Sequence, residues 1–353
     1  MPLPSPCPGP RRARRRWAGA GVALGHPLPR EAHRLILIVL GPEGGVDMGP
    51  KGGFVGLVVG AMIALPGVTP AAQATMPGHN GLVAFDPGAR GIATLNPNGN
   101  GVAQYLTTGA IDFDPAWTAD GKRIFFAREI RRGDQAGYGI FSVRVANKHL
   151  HQYTPISWDL VYESPWPLPK RGFVFVRGPL VGPRQVYKQI GKRVTRLTNS
   201  TTSNSCPVPS PDGSQIAFVR DGRGLMVMNV DGTSKRVVAP ATSRTCIDWS
   251  PDGSLVAGTI SVPDEEAMMV VLANVTTGQQ TVLPETESGE TGIGSIAFSP
   301  DGTELLVVQY SGYGDWLATY SLQGTGAPPI PYVAQDEATS YFGRAEWQSV
   351  KKG

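Results

Sequence analysis

Three arginines stand in register along the chain. Arg128, Arg177 and Arg220 each close an apolar stretch, in Phe126-Ala127-Arg128, Phe175-Val176-Arg177 and Phe218-Val219-Arg220, and the residues just after them add Arg131, Arg132, Arg184 and Arg223. Guanidinium groups gathered on one face bind carboxylates or phosphates through paired N–H donors, so this grouping reads as a partner-binding surface. Tyr310, Tyr313, Asp315 and Trp316 hold the corresponding place further along the sequence. Aromatic side chains next to arginine are the usual anchors of binding sites. The competing reading gives the arginines to Glu129, Asp134 and Asp221 as surface ion pairs, which contribute little.

Other chemistry is sparser. Asp112, Asp114, Asp159 and Glu163 fall at or just before strands of neighbouring repeats, where oxygen ligands for calcium could converge. The alternative is hydrated channel lining, or pairing with Arg244 and Arg344. His149 and His151 share one face of a strand, an acceptable spacing for two metal ligands, but no third ligand is evident. Cys206 and Cys246 each lie five residues before a Ser-Pro-Asp-Gly proline. A disulfide between them is permitted by export. Equivalent residues of neighbouring repeats point in the same rotational sense, however, which favours two small buried thiols. No G-x-S-x-G, H-E-x-x-H or Walker-type loop occurs, so an enzyme is not indicated by motif.

The elements that position these residues are repeated. Ser210-Pro211-Asp212-Gly213, Ser250-Pro251-Asp252-Gly253 and Ser299-Pro300-Asp301-Gly302 have prolines 40 and 49 residues apart, and each lies between two short apolar strands. Asp-Gly in that setting is a hairpin signal, with positive φ open to both turn residues. Trp117-Thr118-Ala119-Asp120-Gly121 is a weaker copy, and Trp166 with Phe173-Val174-Phe175 a weaker one still. Each copy continues with a third strand, a Gly-containing turn and a fourth strand ending in a pair such as Leu197-Thr198. Four antiparallel strands at this period are a propeller blade. Residues 79 to 107 supply the second, third and fourth strands of a first blade but no first strand. Ala345-Glu346-Trp347 resembles the strand that carries Trp117 and supplies the missing one. The predicted fold is all-β: a six-bladed β-propeller of four-stranded antiparallel blades, its ring closed by the C-terminal strand joining the first blade. Closure of this kind removes open sheet edges.

The S-P-D-G turn, the I-A-F strand after it, the M-N-x-D-G turn and the terminal L-T resemble the WD-like repeats of TolB-type proteins. The resemblance covers about residues 79 to 350 and implies an extracytoplasmic binding platform. No N-terminal α/β domain of the TolB kind is found, so the resemblance does not carry over a role in that protein's envelope complex.

Composition agrees with such a fold. The chain has 353 residues with 45 Gly, 32 Pro and only 17% charged residues, a turn-rich balance unsuited to long helical bundles. Its net charge of +4 is misleading. Residues 1 to 74 hold eight Lys/Arg against three acids, so residues 75 to 353 carry a formal −1. Nucleic-acid binding thereby loses its compositional support. Residues 48 to 74 contain Lys51, an apolar run from Phe54 to Leu65 and Ala72-Gln73-Ala74, the three parts of a signal peptide. Residues 1 to 47 read as a mis-assigned start or a disordered basic tail, and residues 75 to 353 as the propeller. The expected protein is a secreted, cell-envelope-associated monomer without a membrane span after signal cleavage. It binds a protein or envelope polymer through its loop face. The alternative is a metal-dependent carbohydrate lyase or lactonase acting at the central channel, for which calcium is the cofactor to test.

Overall fold

The computed structural model describes residues 77–88, 91–96, 103–240, 245–261, 268–283, 292–311, 314–322, 330–332 and 342–350. Residues 1 to 47 and 48 to 74 lie outside the described residues. Among those described, no helix is long and apolar enough to cross a membrane.

Six antiparallel sheets of four strands form the ring. Blade 2 holds β4 (Ile111–Trp117), β5 (Arg123–Arg132), β6 (Gln135–Arg144) and β7 (Leu150–Gln152). Blade 3 holds β8 (Leu160–Pro167), β9 (Phe173–Pro179), β10 (Gln185–Ile190) and β11 (Arg193–Arg196). Blade 4 runs from β12 (Asn204–Pro209) through β13 (Gln215–Arg220) and β14 (Gly224–Asn229) to β15 (Arg236–Ala239). Blade 5 holds β16 (Asp248–Trp249), β17 (Leu255–Ser261), β18 (Met268–Asn274) and β19 (Gln280–Val282), and blade 6 holds β20 (Gly292–Phe298), β21 (Glu304–Ser311), β22 (Gly314–Ser321) and β23 (Ile330–Tyr332). Blade 1 is the composite one. Its first strand is β24 (Phe342–Val350), which pairs antiparallel with β1 (His79–Pro87), followed by β2 (Ala93–Leu95) and β3 (Gln104–Tyr105).

The strands follow from their apolar runs. Ile216 to Val219 and Leu225 to Met228 are buried without alternation, because neighbouring blades cover both faces of each sheet. The outermost strands have only one neighbour in their own sheet, and β7 is exposed throughout. The terminal threonines cap that edge. Thr107, Thr154 and Thr198 accept backbone N–H bonds from Ile92, Ile140 and Val186 at 2.8, 2.8 and 2.9 Å. These amides would otherwise be buried without an acceptor.

The Ser-Pro-Asp-Gly turn differs from the expected two-residue hairpin. Only its glycine has positive φ, at 69° for Gly213, 71° for Gly253 and 74° for Gly302. In each copy the glycine N–H bonds the serine carbonyl, which makes a type I turn followed by a left-handed residue. The aspartate therefore acts through its side chain. Asp212 accepts from Ser210 Oγ at 2.6 Å and from Ser214 N at 2.9 Å, and Asp252, Asp301 and Asp120 repeat the arrangement.

Candidate functional site

Register places the predicted residues in layers. Trp117, Pro167, Pro209, Trp249, Phe298 and Trp347 oppose equivalent residues of the second strands, so they mark one level of all six inner strands. Three residues earlier stand Asp114, Ser164, Cys206, Cys246, Ser295 and Arg344. The inner strands of blades 2, 3 and 4 bulge there, with φ of 56° at Asp114, 48° at Ser164 and 46° at Cys206. A bulge turns a side chain out of the ordinary alternation. Neighbours in this layer then meet. Asp114 accepts from Ser164 N at 2.8 Å and Oγ at 3.1 Å, and Ser295 Oγ accepts from Ala345 N at 3.2 Å.

Cys206 and Cys246 are joined as a disulfide with Cα atoms 5.2 Å apart. The rotational argument for separate thiols assumes identical backbone at both positions. Cys206 is instead left-handed within its bulge, whereas Cys246 sits in an isolated parallel bridge to Ser295. That difference brings the two within the span a disulfide requires.

A buried charge cluster adjoins this layer, and sequence reasoning missed most of it. Arg344, 2% exposed, lies over the Trp166 ring at 3.9 Å, and its Nη1 and Nη2 have no hydrogen-bond partner. Burial drives its pKa below the ordinary arginine value, against the pull of Glu346, Asp114, Asp248 and Asp86. Each of these carboxylates also ties blade backbone together. Asp86 accepts from Arg344 N at 3.1 Å and Asp114 N at 3.0 Å; Asp248 accepts from Phe298 N at 2.8 Å; Glu346 accepts from Trp117 N at 2.9 Å. Burial, reinforced by Asp248, pushes the Glu346 carboxyl well above its usual range, although Arg344 opposes the shift. The available signal was positional. Asp248 and Glu346 occupy the step held by Ala116, Val208 and Ala297 in other blades.

The proposed calcium ligands do not gather. Asp112 forms a two-point ion pair with Arg128 at 2.6 and 2.7 Å, and Glu163 pairs with Arg184 at 2.6 Å. Asp159 is exposed, and Asp114 is engaged by Ser164. Among the described residues no group of three or more His, Cys, Asp or Glu is arranged to hold a metal. His151 packs edge-on against Tyr153 at 4.5 Å.

The arginine register is present, and the residue across the strand decides what each arginine does. Arg128 opposes Asp112, Arg177 opposes Tyr162, and Arg220 opposes Asn204. Arg128 is therefore neutralised inside the blade and packs over Phe126 and Phe141. Arg177 has neutral residues on both sides, Tyr162 and Gln185, and lies 4.0 Å from the Tyr187 ring. Burial works to lower its pKa, but the Tyr187 and Tyr162 hydroxyls outweigh it and the net direction is upward. Arg220 donates to Asn204 Oδ1 at 2.9 Å; burial, then the like charge of Arg223, lowers its pKa. Arg131 pairs with Glu129, and Arg132 lies over the Trp158 ring at 4.8 Å. Arg223 is exposed in the turn beyond Arg220. Tyr310 and Trp316 are on β21 and β22, which meet at the same end of blade 6; Tyr313 and Arg244 lie outside the described residues.

Comparison with known proteins agrees with this architecture. No protein-family profile matches the sequence. A TolB homologue of Chlorobium luteolum is 31% identical over 140 residues, covering 36% of this chain and only 30% of that protein. The crystal structure of TolB from Acinetobacter baumannii superposes with a TM-score of 0.62 at 19% identity, over 76% of this chain and 67% of that one. An oligogalacturonate lyase of Vibrio parahaemolyticus reaches a TM-score of 0.48 at 13% identity over 70% and 78% of the two chains, too loose to carry an argument. The described residues form a six-bladed β-propeller, a fold shared with the solved TolB structure.

Proposed function

We propose that this propeller is an extracytoplasmic scaffold that binds an acidic protein surface or envelope polymer through its loop face, on the blade 3 and blade 4 side. The observation that carries the reading is the changed cross-strand partner of the arginine register. In blade 2 the arginine is spent on Asp112, whereas in blade 4 Arg220 meets only neutral Asn204 across the strand and has Arg223 beside it. A guanidinium held by a neutral partner keeps its charge for an incoming anion. Location rests on the signal-like residues 48 to 74 and on the TolB likeness. The proposed protein is a monomer, and exposed Arg132 of blade 2 extends the surface around the ring.

The test is a charge reversal. Arg220→Glu with Arg223→Glu, in the full chain, should abolish cross-linking to envelope components of the producing cell while leaving thermal unfolding within a few degrees of the parent. Undiminished cross-linking would discard this face as the binding surface.

A further inference from the structure

The connection from β9 to β10 carries a run of exposed residues with no polar side chain, Pro179-Leu180-Val181-Gly182-Pro183. Val181 is 93% exposed and Leu180 48%; no other large apolar side chain among the described residues exceeds 48%. A lone exposed valine is unremarkable. An exposed apolar run of this length is a liability in water unless it has a use.

The run is a fixed projection and not one wall of a groove. Arg184, at its base, donates its N–H to Ser203 Oγ at 3.2 Å and accepts from Asn204 N at 2.8 Å, so blade 4 holds the returning strand. A Cβ added at Gly178 would lie 2.8 Å from Arg184 Cα, and one added at Gly182, whose φ is 129°, would lie 3.1 Å from Pro179 Cγ. The two limbs of the loop are therefore packed together, with Leu180 and Val181 at the tip.

The surroundings of the tip decide what covers it. The same end of the ring carries exposed Arg131 and Arg132 on blade 2 and exposed Arg223 on blade 4. The register of Leu160 with Pro179 brings the Trp158 segment there too, and Arg132 lies 4.8 Å from the indole. Of the acids at this end, Asp112, Glu129 and Glu163 are bonded to Arg128, Arg131 and Arg184, Asp134 and Asp159 are exposed, and Asp221 is half-buried. The balance is weakly positive, so apolar contact leads and charge assists. A convex apolar tip with arginines and a tryptophan around its base matches a membrane interface. There, apolar side chains enter the acyl boundary, indole sits at headgroup level and cations meet lipid phosphates.

We propose that the β9–β10 loop inserts Leu180 and Val181 into the surface of an anionic phospholipid bilayer, with Arg131, Arg132 and Arg223 against the headgroup phosphates. Two side chains give weak, reversible attachment and no span. This contact is additional to the loop-face partner proposed above, and its decisive residues are Leu180 and Val181.

Sedimentation of the full chain with vesicles of equal parts phosphatidylcholine and phosphatidylglycerol tests it. Leu180→Ser with Val181→Asp changes only exposed positions and should weaken partition about tenfold, the transfer value of one such side chain. Vesicles of phosphatidylcholine alone should bind the parent several-fold more weakly. The apolar run of residues 54 to 65 is common to parent and variant, so a second readout reports the loop by itself. Val181→Trp adds one indole at the tip, and the emission it adds should shift to the blue when anionic vesicles are present. Partition unchanged by Leu180→Ser with Val181→Asp, equal partition into neutral vesicles, or unshifted added emission overturns the proposal. Loss of cross-linking to envelope proteins in the double variant, with the added indole unshifted by vesicles, overturns it as well and assigns the tip to a protein pocket. The vesicles hold neither protein nor polymer, so failure here leaves the Arg220 and Arg223 reading standing, and failure of that cross-linking test leaves vesicle binding expected.

Discussion

Replacing Glu346 with glutamine should make the protein more stable at neutral pH than the parent. Glu346 is 6% exposed, and its Oε2 accepts the Trp117 amide at 2.9 Å, joining blade 1 to blade 2. Its carboxyl pKa is raised in the folded chain, foremost by burial. A carboxyl with a raised folded value binds its proton more tightly folded than unfolded. The resulting stability is complete below about pH 4.5 and is lost as pH rises through the folded value. Each unit of that rise removes about 1.4 kcal/mol. Glutamine retains an Oε acceptor for Trp117 and never ionises. Glu346→Gln should therefore match the parent near pH 4 and exceed it progressively towards pH 8. Glu346→Ala deletes the acceptor and should lose about 1–3 kcal/mol at every pH from the unsatisfied Trp117 amide alone. Urea unfolding followed by tryptophan fluorescence at several pH values measures all three proteins. A Glu346→Gln variant less stable than the parent at pH 8, or separated from it by a constant offset, would refute the reasoning.

Two further outcomes concern the ring. Reduction of the Cys206–Cys246 bond should add the mass of two hydrogens and lower stability by about 2–4 kcal/mol, as expected for closing a loop of 40 residues; a mass unchanged by reductant would show free thiols. Asp120, Asp212, Asp252 and Asp301 all have carboxyl pKa values drawn below the ordinary range, by bonds to their turn hydroxyls and amides that outweigh burial. Depressed values confer stability above about pH 3.8 that disappears as pH falls through the folded values, at roughly 0.5–1 kcal/mol per partly exposed turn. Combined Asp212→Asn, Asp252→Asn and Asp301→Asn should flatten the acid limb of a stability–pH curve, and a parallel curve would count against the turn assignment.

The ring was legible because its punctuation repeats. Ser-Pro-Asp-Gly at three places and Trp117 with Trp347 mark the inner strands of five blades, and they led to the composite first blade that β24 and β1 form. The left-handed bulge was not legible. Asp114, Ser164 and Cys206 share no side-chain chemistry, and the backbone alone imposes their common φ. Arginine register was legible too, but its meaning depended on Asp112, Tyr162 and Asn204, one strand away. Asp86 lies in a second strand and reaches the inner cluster only through the fold.

Blade 1 also sets the order in which the chain can complete itself. Leu82 bonds a side chain 266 residues further on, so the sheet edge of β1 has no partner until nearly the whole propeller has left the ribosome. Blades 2 to 6 are each contiguous in sequence and able to form as they emerge. Synthesis thus passes through a long interval in which β1 is an open template for any other strand, including β24 of a second copy. Such late, long-range pairing is slow and exposed to misassembly. Whatever shields the β1 edge during that interval therefore bears on the yield of correctly closed protein.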